Sequence, residues 1–288
     1  MPTRRWLLVL TSALFTACSS TTARVDDSGP APENGQPSPT PAGPKVTGLV
    51  YRPAAPGGYK LERHDSLTFQ YPGGAVQQQV RDRVAFVHVT IGGAAGAATY
   101  PVTIILDSLQ ALENGQPAES AFVVRGTRWT ATLSQDGALS QLQADRGGTL
   151  SDELSGRLRL FFPRLPAEGA REGMQWADSS EYKLVADAFP GTEKQVTTYR
   201  ASEGAKKGLT LESDGTYSRT GTQQKADQVL EMTGTGNRHA THQINGDGVL
   251  VSAQGNDSGD MTISVPAVGQ TVPVKQSGSY SITQSPTR

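Results

Sequence analysis

Tyr59-Lys60-Leu61-Glu62-Arg63-His64-Asp65-Ser66-Leu67-Thr68-Phe69-Gln70-Tyr71 decides the fold class. Tyr59, Leu61, Leu67, Phe69 and Tyr71 fall on one parity, and Lys60, Glu62, His64, Ser66, Thr68 and Gln70 on the other. Successive side chains of a strand point to opposite faces, so this alternation means a strand with one buried face. Arg63 and Asp65 interrupt the apolar parity, and a turn or bulge is expected to divide the run there.

The same signal continues along the chain. Val84, Phe86, Val87, Val89 and Ile91 lie in a run apolar on both parities, as in a central strand, and Tyr100, Val102, Ile104 and Leu106 alternate again. Further candidate strands are 121–125, 129–133, 139–142, 181–188, 195–199, 209–211, 229–232, 249–253, 261–265, 272–274 and 280–283. Asn114-Gly115, Asp136-Gly137, Asp214-Gly215 and Gly246-Asp247-Gly248 supply the positive φ that tight hairpins require, so neighbouring strands are expected to be antiparallel. One stretch departs from this pattern. Leu150, Leu154, Leu158 and Phe161 or Phe162 recur at helical spacing, Thr149 or Ser151 is placed to cap the start, and Pro163 stops the run. The expected architecture is mainly β, with antiparallel curved sheets or half-barrels and one short amphipathic helix near 150–162 whose apolar stripe packs into the core.

Composition agrees. Apolar residues make up 36 % of the chain and aromatics 6 %, while 32 glycines and 18 prolines favour many strands and turns over a helical bundle. The formal net charge is −1, and without residues 1–17, which carry Arg4 and Arg5, it is −3. There is no basic stripe, so nucleic acid is excluded as an expected partner.

A faint internal similarity is also present. Gly126-Thr127-Arg128-Trp129 and Asp136-Gly137-Ala138-Leu139 echo Gly236-Asn237-Arg238-His239 and Asp247-Gly248-Val249-Leu250, offset by 110 and 111 residues. Tyr71-Pro72-Gly73 echoes Phe189-Pro190-Gly191 at an offset of 118, and Tyr59-Lys60-Leu61 echoes Tyr182-Lys183-Leu184 at 123. The order is kept while the offset drifts, as loop deletions would produce. The expectation is two similar β units, 47–165 and 166–288, with a cleft between them as a place for a ligand.

The N-terminus carries a different message. Arg4 and Arg5 precede an apolar middle, Trp6–Leu10 with Ala13-Leu14-Phe15, and the small residues Thr16-Ala17 lead to Cys18, the one cysteine of 288 residues. A positive start, a short apolar stretch and a small-residue exit make a secretory signal over residues 1–17. With the lone cysteine at its exit, the segment resembles a bacterial lipoprotein signal, although Phe15 stands where that class prefers leucine. The resemblance implies a leader removed before a diacylated Cys18, and anchoring in the bacterial cell envelope. Ser19 after the cysteine favours the outer membrane by the same resemblance. Buried acyl chains contribute about 0.8 kcal/mol per CH₂, enough to anchor a chain without a transmembrane helix. Residues 18–46 then form a tether: Pro30, Pro32, Pro37, Pro39, Pro41 and Pro44 bias it to extended polyproline geometry.

Catalytic chemistry is harder to place. The histidines are His64, His88, His239 and His242. His239 and His242 are three apart, which on a strand puts them on opposite faces, and there is no cysteine beside them to complete a zinc site. Asn256-Asp257-Ser258-Gly259-Asp260 is oxygen-rich but lacks the spacing and closing glutamate of a calcium loop, and reads as an ordinary polar turn. Gly92-Gly93-Ala94-Ala95-Gly96 matches no phosphate loop, and Gly-X-Ser-X-Gly is absent. Asp152 and Glu153 suit a helix start by their charge. No catalytic, cofactor or metal residue is assigned, and Cys18 is the single site residue. The first functional expectation is a non-catalytic envelope lipoprotein that binds or carries a hydrophobic, lipid-like ligand, similar in geometry to periplasmic lipoprotein carriers. The second is a structural or assembly lipoprotein that binds another envelope protein. A hydrolase is the third.

Overall fold

A computed structural model describes residues 47–93, 98–118, 124–184, 189–225 and 228–285. Cys18, the leader and the tether lie outside the described residues, as do 121–123 and 185–188 of the candidate strands.

The body is mainly antiparallel β, as expected. Its strands are β1 (Ala54–Gln70), β2 (Val76–Ile91), β3 (Thr99–Glu113), β4 (Gln116–Pro117), β5 (Arg128–Ser134), β6 (Leu139–Ala144), β7 (Gln175–Leu184), β8 (Gly191–Glu203), β9 (Leu209–Lys225), β10 (Gln228–Ile244), β11 (Leu250–Val265) and β12 (Gln270–Ser285). One α-helix, α1 (Thr149–Leu158), stands between β6 and β7. The strands form a single open, curved sheet in the order β6-β5-β3-β2-β1-β12-β11-β10-β9-β8-β7, with β4 paired to β3.

That order bears on the expected two units. β1 runs antiparallel to β12 in unbroken register from Gly58↔Ser285 to Phe69↔Val274, so the stretches 47–165 and 166–288 share one sheet. The echoes fall partly on unlike positions. Gly126 is in a turn with φ 79°, whereas Gly236 lies within β10 opposite Tyr217. Asp136-Gly137 and Asp247-Gly248 do match, both at hairpin turns with φ 87° and 78° at the glycines, and Tyr59–Leu61 and Tyr182–Leu184 both lie within strands. These two turns face one segment. A Cβ on Gly137 would lie 2.7 Å from the Tyr51 ring, and one on Gly248 2.2 Å from the Val50 carbonyl.

Two expectations are corrected. Arg63 and Asp65 do not divide the first run: β1 is continuous, and its register with β2 shifts only between Ala54 and Gly57. Asp214-Gly215 and Asn256–Asp260 are not turns but the middles of β9 and β11. The separate candidate strands at 249–253 and 261–265 therefore merge into one, as do 272–274 and 280–283. The reason is steric. On the core face these glycines make room for a large neighbour. A Cβ on Gly215 would lie 2.9 Å from Thr197 Oγ1, one on Gly259 2.4 Å from the Tyr217 hydroxyl, and one on Gly255 2.7 Å from the Tyr280 ring.

The apolar core occupies one end of the sheet. Val87, Val89, Val102, Ile104, Leu106, Trp129 and Leu133 line it from β2, β3 and β5, and Leu211, Ile244, Leu250 and Ile282 from the other side. Leu150, Leu154 and Leu158 of α1 cover it, as the helical spacing predicts. The helix ends at Leu158 rather than near 162, and Phe161 and Phe162 continue as a buried turn. Phe161 packs edge-on against Tyr59 at 5.1 Å, and Phe162 against Tyr51 at 5.2 Å. Gly148 takes the N-cap position without a side-chain cap bond, and Ser151 Oγ donates instead to the Arg146 carbonyl at 2.7 Å. Trp129 Nε1 donates to Ser155 Oγ at 2.8 Å, which ties helix to sheet.

Candidate functional site

The sheet has two faces, and they differ in chemistry. On the core face, beyond the apolar end, charged side chains point inward from several strands. Arg63 bridges Asp65 and Asp257, at 2.5 Å from the latter. Arg157 of α1 reaches Asp65 at 3.2 Å and Glu153 at 2.6 Å, and Arg83 lies 3.2 Å from Glu113 and 3.5 Å from Glu153. A second group stands on β8, β9 and β10, where Glu193 receives Arg238 at 2.7 Å and Arg219 at 2.8 Å. Arg238 also lies over the Tyr217 ring, 4.6 Å from its centroid. Burial alone raises the Glu193 pKa, but Arg238 and Arg219 outweigh it and hold the carboxyl below its usual value. Burial likewise lowers the Arg63 pKa, and its bonds to Asp257 and Asp65 outweigh that, so it rises.

These ion pairs explain the polar breaks in the apolar parity. A charge taken out of water is costly unless it is paired, and each of these carboxylates meets a guanidinium. Glu153, read as a helix-start residue, belongs to this network. Chain spacing sets Glu153 with Arg157 and Arg63 with Asp65, but the pairs that join Asp257 to Arg63, Glu193 to Arg219 and Arg238, and α1 to the sheet come from tertiary packing, which periodicity could not find.

His242 also faces inward. It is 6 % exposed, its Nδ1 has no hydrogen-bond partner among the described residues, and burial lowers its pKa to about 4 against a small opposing effect of the Leu211 backbone. His239, three residues earlier, is exposed on the opposite face, as the odd spacing predicts.

The outer face is open and mostly polar, with Val76, Phe86, Val196 and Val229 exposed on it. Two troughs lie on it. One, of about 590 Å³, is lined by short side chains such as Thr216, Ser218, Thr235, Asn237 and Ser258. The other, of about 570 Å³, contains His64, Asp82, Ser279, Asn256 and His239. Strand register aligns these last residues in a transverse row. Asp82 is opposite His64, His64 opposite Ser279, Ser279 opposite Asn256, Asn256 opposite His239, and His239 opposite Asp214. At each end a carboxylate holds an imidazole: Asp82 Oδ1 is 2.6 Å from His64 Nδ1, and Asp214 Oδ1 is 2.8 Å from His239 Nδ1. His88 pairs in the same way with Asp107 at 2.5 Å on the outer face, outside the row.

Asp82, His64 and Ser279 follow one another in the order of a nucleophilic triad. The arrangement lacks what acyl transfer needs beside the serine, because antiparallel ladders on both sides of β12 occupy its backbone amides. Among the described residues there is no group of three or more side chains placed to hold a metal, and no helix long and apolar enough to cross a membrane.

Comparison with known proteins adds little. No family model matches the chain, and no curated protein does. Among solved structures, DynF from the dynemicin biosynthesis pathway of Micromonospora chersina is 14 % identical, with 86 % of this chain and 92 % of that chain covered, at a TM-score of 0.24. A protein of unknown function from the DUF3598 family of Nostoc punctiforme is 10 % identical, with 77 % and 95 % covered, at a TM-score of 0.13.

Proposed function

We propose that this chain is a non-catalytic lipoprotein of the bacterial cell envelope, tethered through an acylated Cys18, that holds another envelope component against the outer face of its sheet. One observation carries the choice over internal carriage of a lipid-like ligand. The core face is occupied: α1, Phe161 and Phe162 fill its apolar end, and paired charges cross the remainder. The open volumes lie instead on the outer face, among hydroxyl and amide groups. An apolar ligand requires an enclosed, concave apolar lining, whereas those troughs are open and mixed, with Val196 and Lys194 beside the hydroxyls of the first and Val84 beside the histidines of the second. The second expectation, a structural or assembly lipoprotein, is thereby favoured over the first.

The test places a photo-crosslinking residue at Ser258 on the outer face, and separately at Leu184 beside the core face, in cells expressing the full chain. The proposal expects specific adducts from Ser258 only. It also expects Cys18→Ser to leave the membrane fraction and lose those adducts. A lipid that copurifies stoichiometrically with the protein, with no adduct from Ser258, would return the carrier reading.

A further inference from the structure

The row from Asp82 to Asp214 has a chemistry that specifies an occupant for its trough. The ionised groups lining the trough already have partners. Glu62 is 2.7 Å from Lys60, Asp82 holds His64, and Arg63 and Arg83 are engaged by the core-face carboxylates. Among the described lining residues no cation is left without a carboxylate partner, so nothing there recruits a phosphate or an acidic peptide. No aromatic or aliphatic side chain stands in the row itself, and Val84 lines the trough to one side of it. What remains free is a line of hydrogen-bonding groups: the hydroxyl of Ser279, the amide of Asn256, and the Nε2 atoms of His64 and His239, each fixed from its Nδ1 side by an aspartate. Gln254, Ser281 and Thr241 stand beside the line along the strands.

The spacing of the line is that of the sheet. Adjacent strands are about 4.8 Å apart, close to the advance of one sugar along an extended β-linked glycan, so His64 and His239, three strand steps apart, are separated by about 14 Å. A ligand laid across the strands would meet one polar side chain per sugar. The row is nearly palindromic, with carboxylate and imidazole at both ends and hydroxyl and amide between them, which suits a polymer of repeating unit. We infer that the Asp82–Asp214 trough binds a neutral, extended, β-linked oligosaccharide chain perpendicular to the strands, with Ser279 and Asn256 hydrogen-bonding its hydroxyl or acetamido groups and the two histidines gripping it at either side. This rests on the reading of the outer face as the working surface and names the class of component it holds.

Calorimetric titration of the full-length protein in detergent with chitohexaose and with cellohexaose tests the inference. Saturable binding of either hexaose supports it, and the preferred probe shows whether the acetamido group is read. With a series of shorter oligomers, affinity should rise with length and level off near four sugars, the number of strands from His64 to His239. Asn256→Ala and His239→Ala should each weaken binding more than tenfold, with circular dichroism unchanged because both side chains are on the outer face. Thr233→Ala, on the same face but outside the trough, should bind as the parent does. No saturable binding of either hexaose, or binding that Asn256→Ala and His239→Ala leave unchanged, overturns the glycan assignment. If Ser258 crosslinks persist to a protein in that case, the outer-face proposal stands and only the ligand class fails. If they also vanish, both fall.

Discussion

Acid should weaken the fold through one buried imidazole. His242 is enclosed on the core face between Leu211 and Ala253, and its pKa is lowered to about 4, first by desolvation. In the unfolded chain the same group titrates near 6.5. Between those two values the unfolded state takes up a proton that the native state refuses, so this contribution is intact above pH 6.5 and is lost progressively as pH falls toward 4. For a gap of this size the loss between pH 7.5 and pH 5 is about 2 kcal/mol. Glu193 does not confuse the window, because a carboxyl held below 4.5 gives up its contribution only at lower pH. Urea unfolding followed by tryptophan fluorescence, with Trp129 buried in the core as reporter, measures the effect at both pH values. His242→Leu keeps a side chain of similar size and removes the titration. The parent should lose about 2 kcal/mol more than this variant between pH 7.5 and pH 5. Equal losses in the two proteins would refute the assignment of the acid sensitivity to His242.

Three further outcomes follow from packing. Gly236→Ala places a Cβ 2.4 Å from the Tyr217 ring, and should cost about 1–3 kcal/mol in chemical denaturation, whereas Gly93→Ala, whose Cβ meets nothing within 4 Å, should cost less than about 1 kcal/mol. Phe161→Ala removes a ring that is 1 % exposed and packed on Tyr59, and should lower stability by about 3–5 kcal/mol, with a matching fall in the urea midpoint at constant slope. Asp257→Asn leaves Arg63 with Asp65 as its remaining carboxylate, and should destabilise by about 2 kcal/mol, read from the same urea curves.

The strand nature of Tyr59–Tyr71, Val84–Ile91 and Tyr100–Leu106 was legible because alternation is a local property of the chain. So was the helix, because Leu150, Leu154 and Leu158 repeat on one face. The continuity of β1, β9, β11 and β12 was not legible. Arg63, Asp65, Gly215, Asp257 and Gly259 read locally as breaks, yet they lie inside strands: the charges meet partners from strands distant in sequence, and the glycines yield space to Tyr217 and Thr197 on neighbouring strands. The candidate trough was hidden for a related reason. His64, Ser279, Asn256 and His239 are scattered over more than half the chain, and only ladder register sets them side by side.

Composition and pattern alone determined that this is an antiparallel β protein with one helix over its core, since turn chemistry, parity and helical spacing act within a few residues. Whether the two halves would stand apart or fuse was decided by tertiary structure. Pairing of β1 with β12 satisfies the backbone groups along both strands, which two separate sheets would have left as open edges. That one ladder joins the two halves in a single sheet and aligns the outer-face row across the junction.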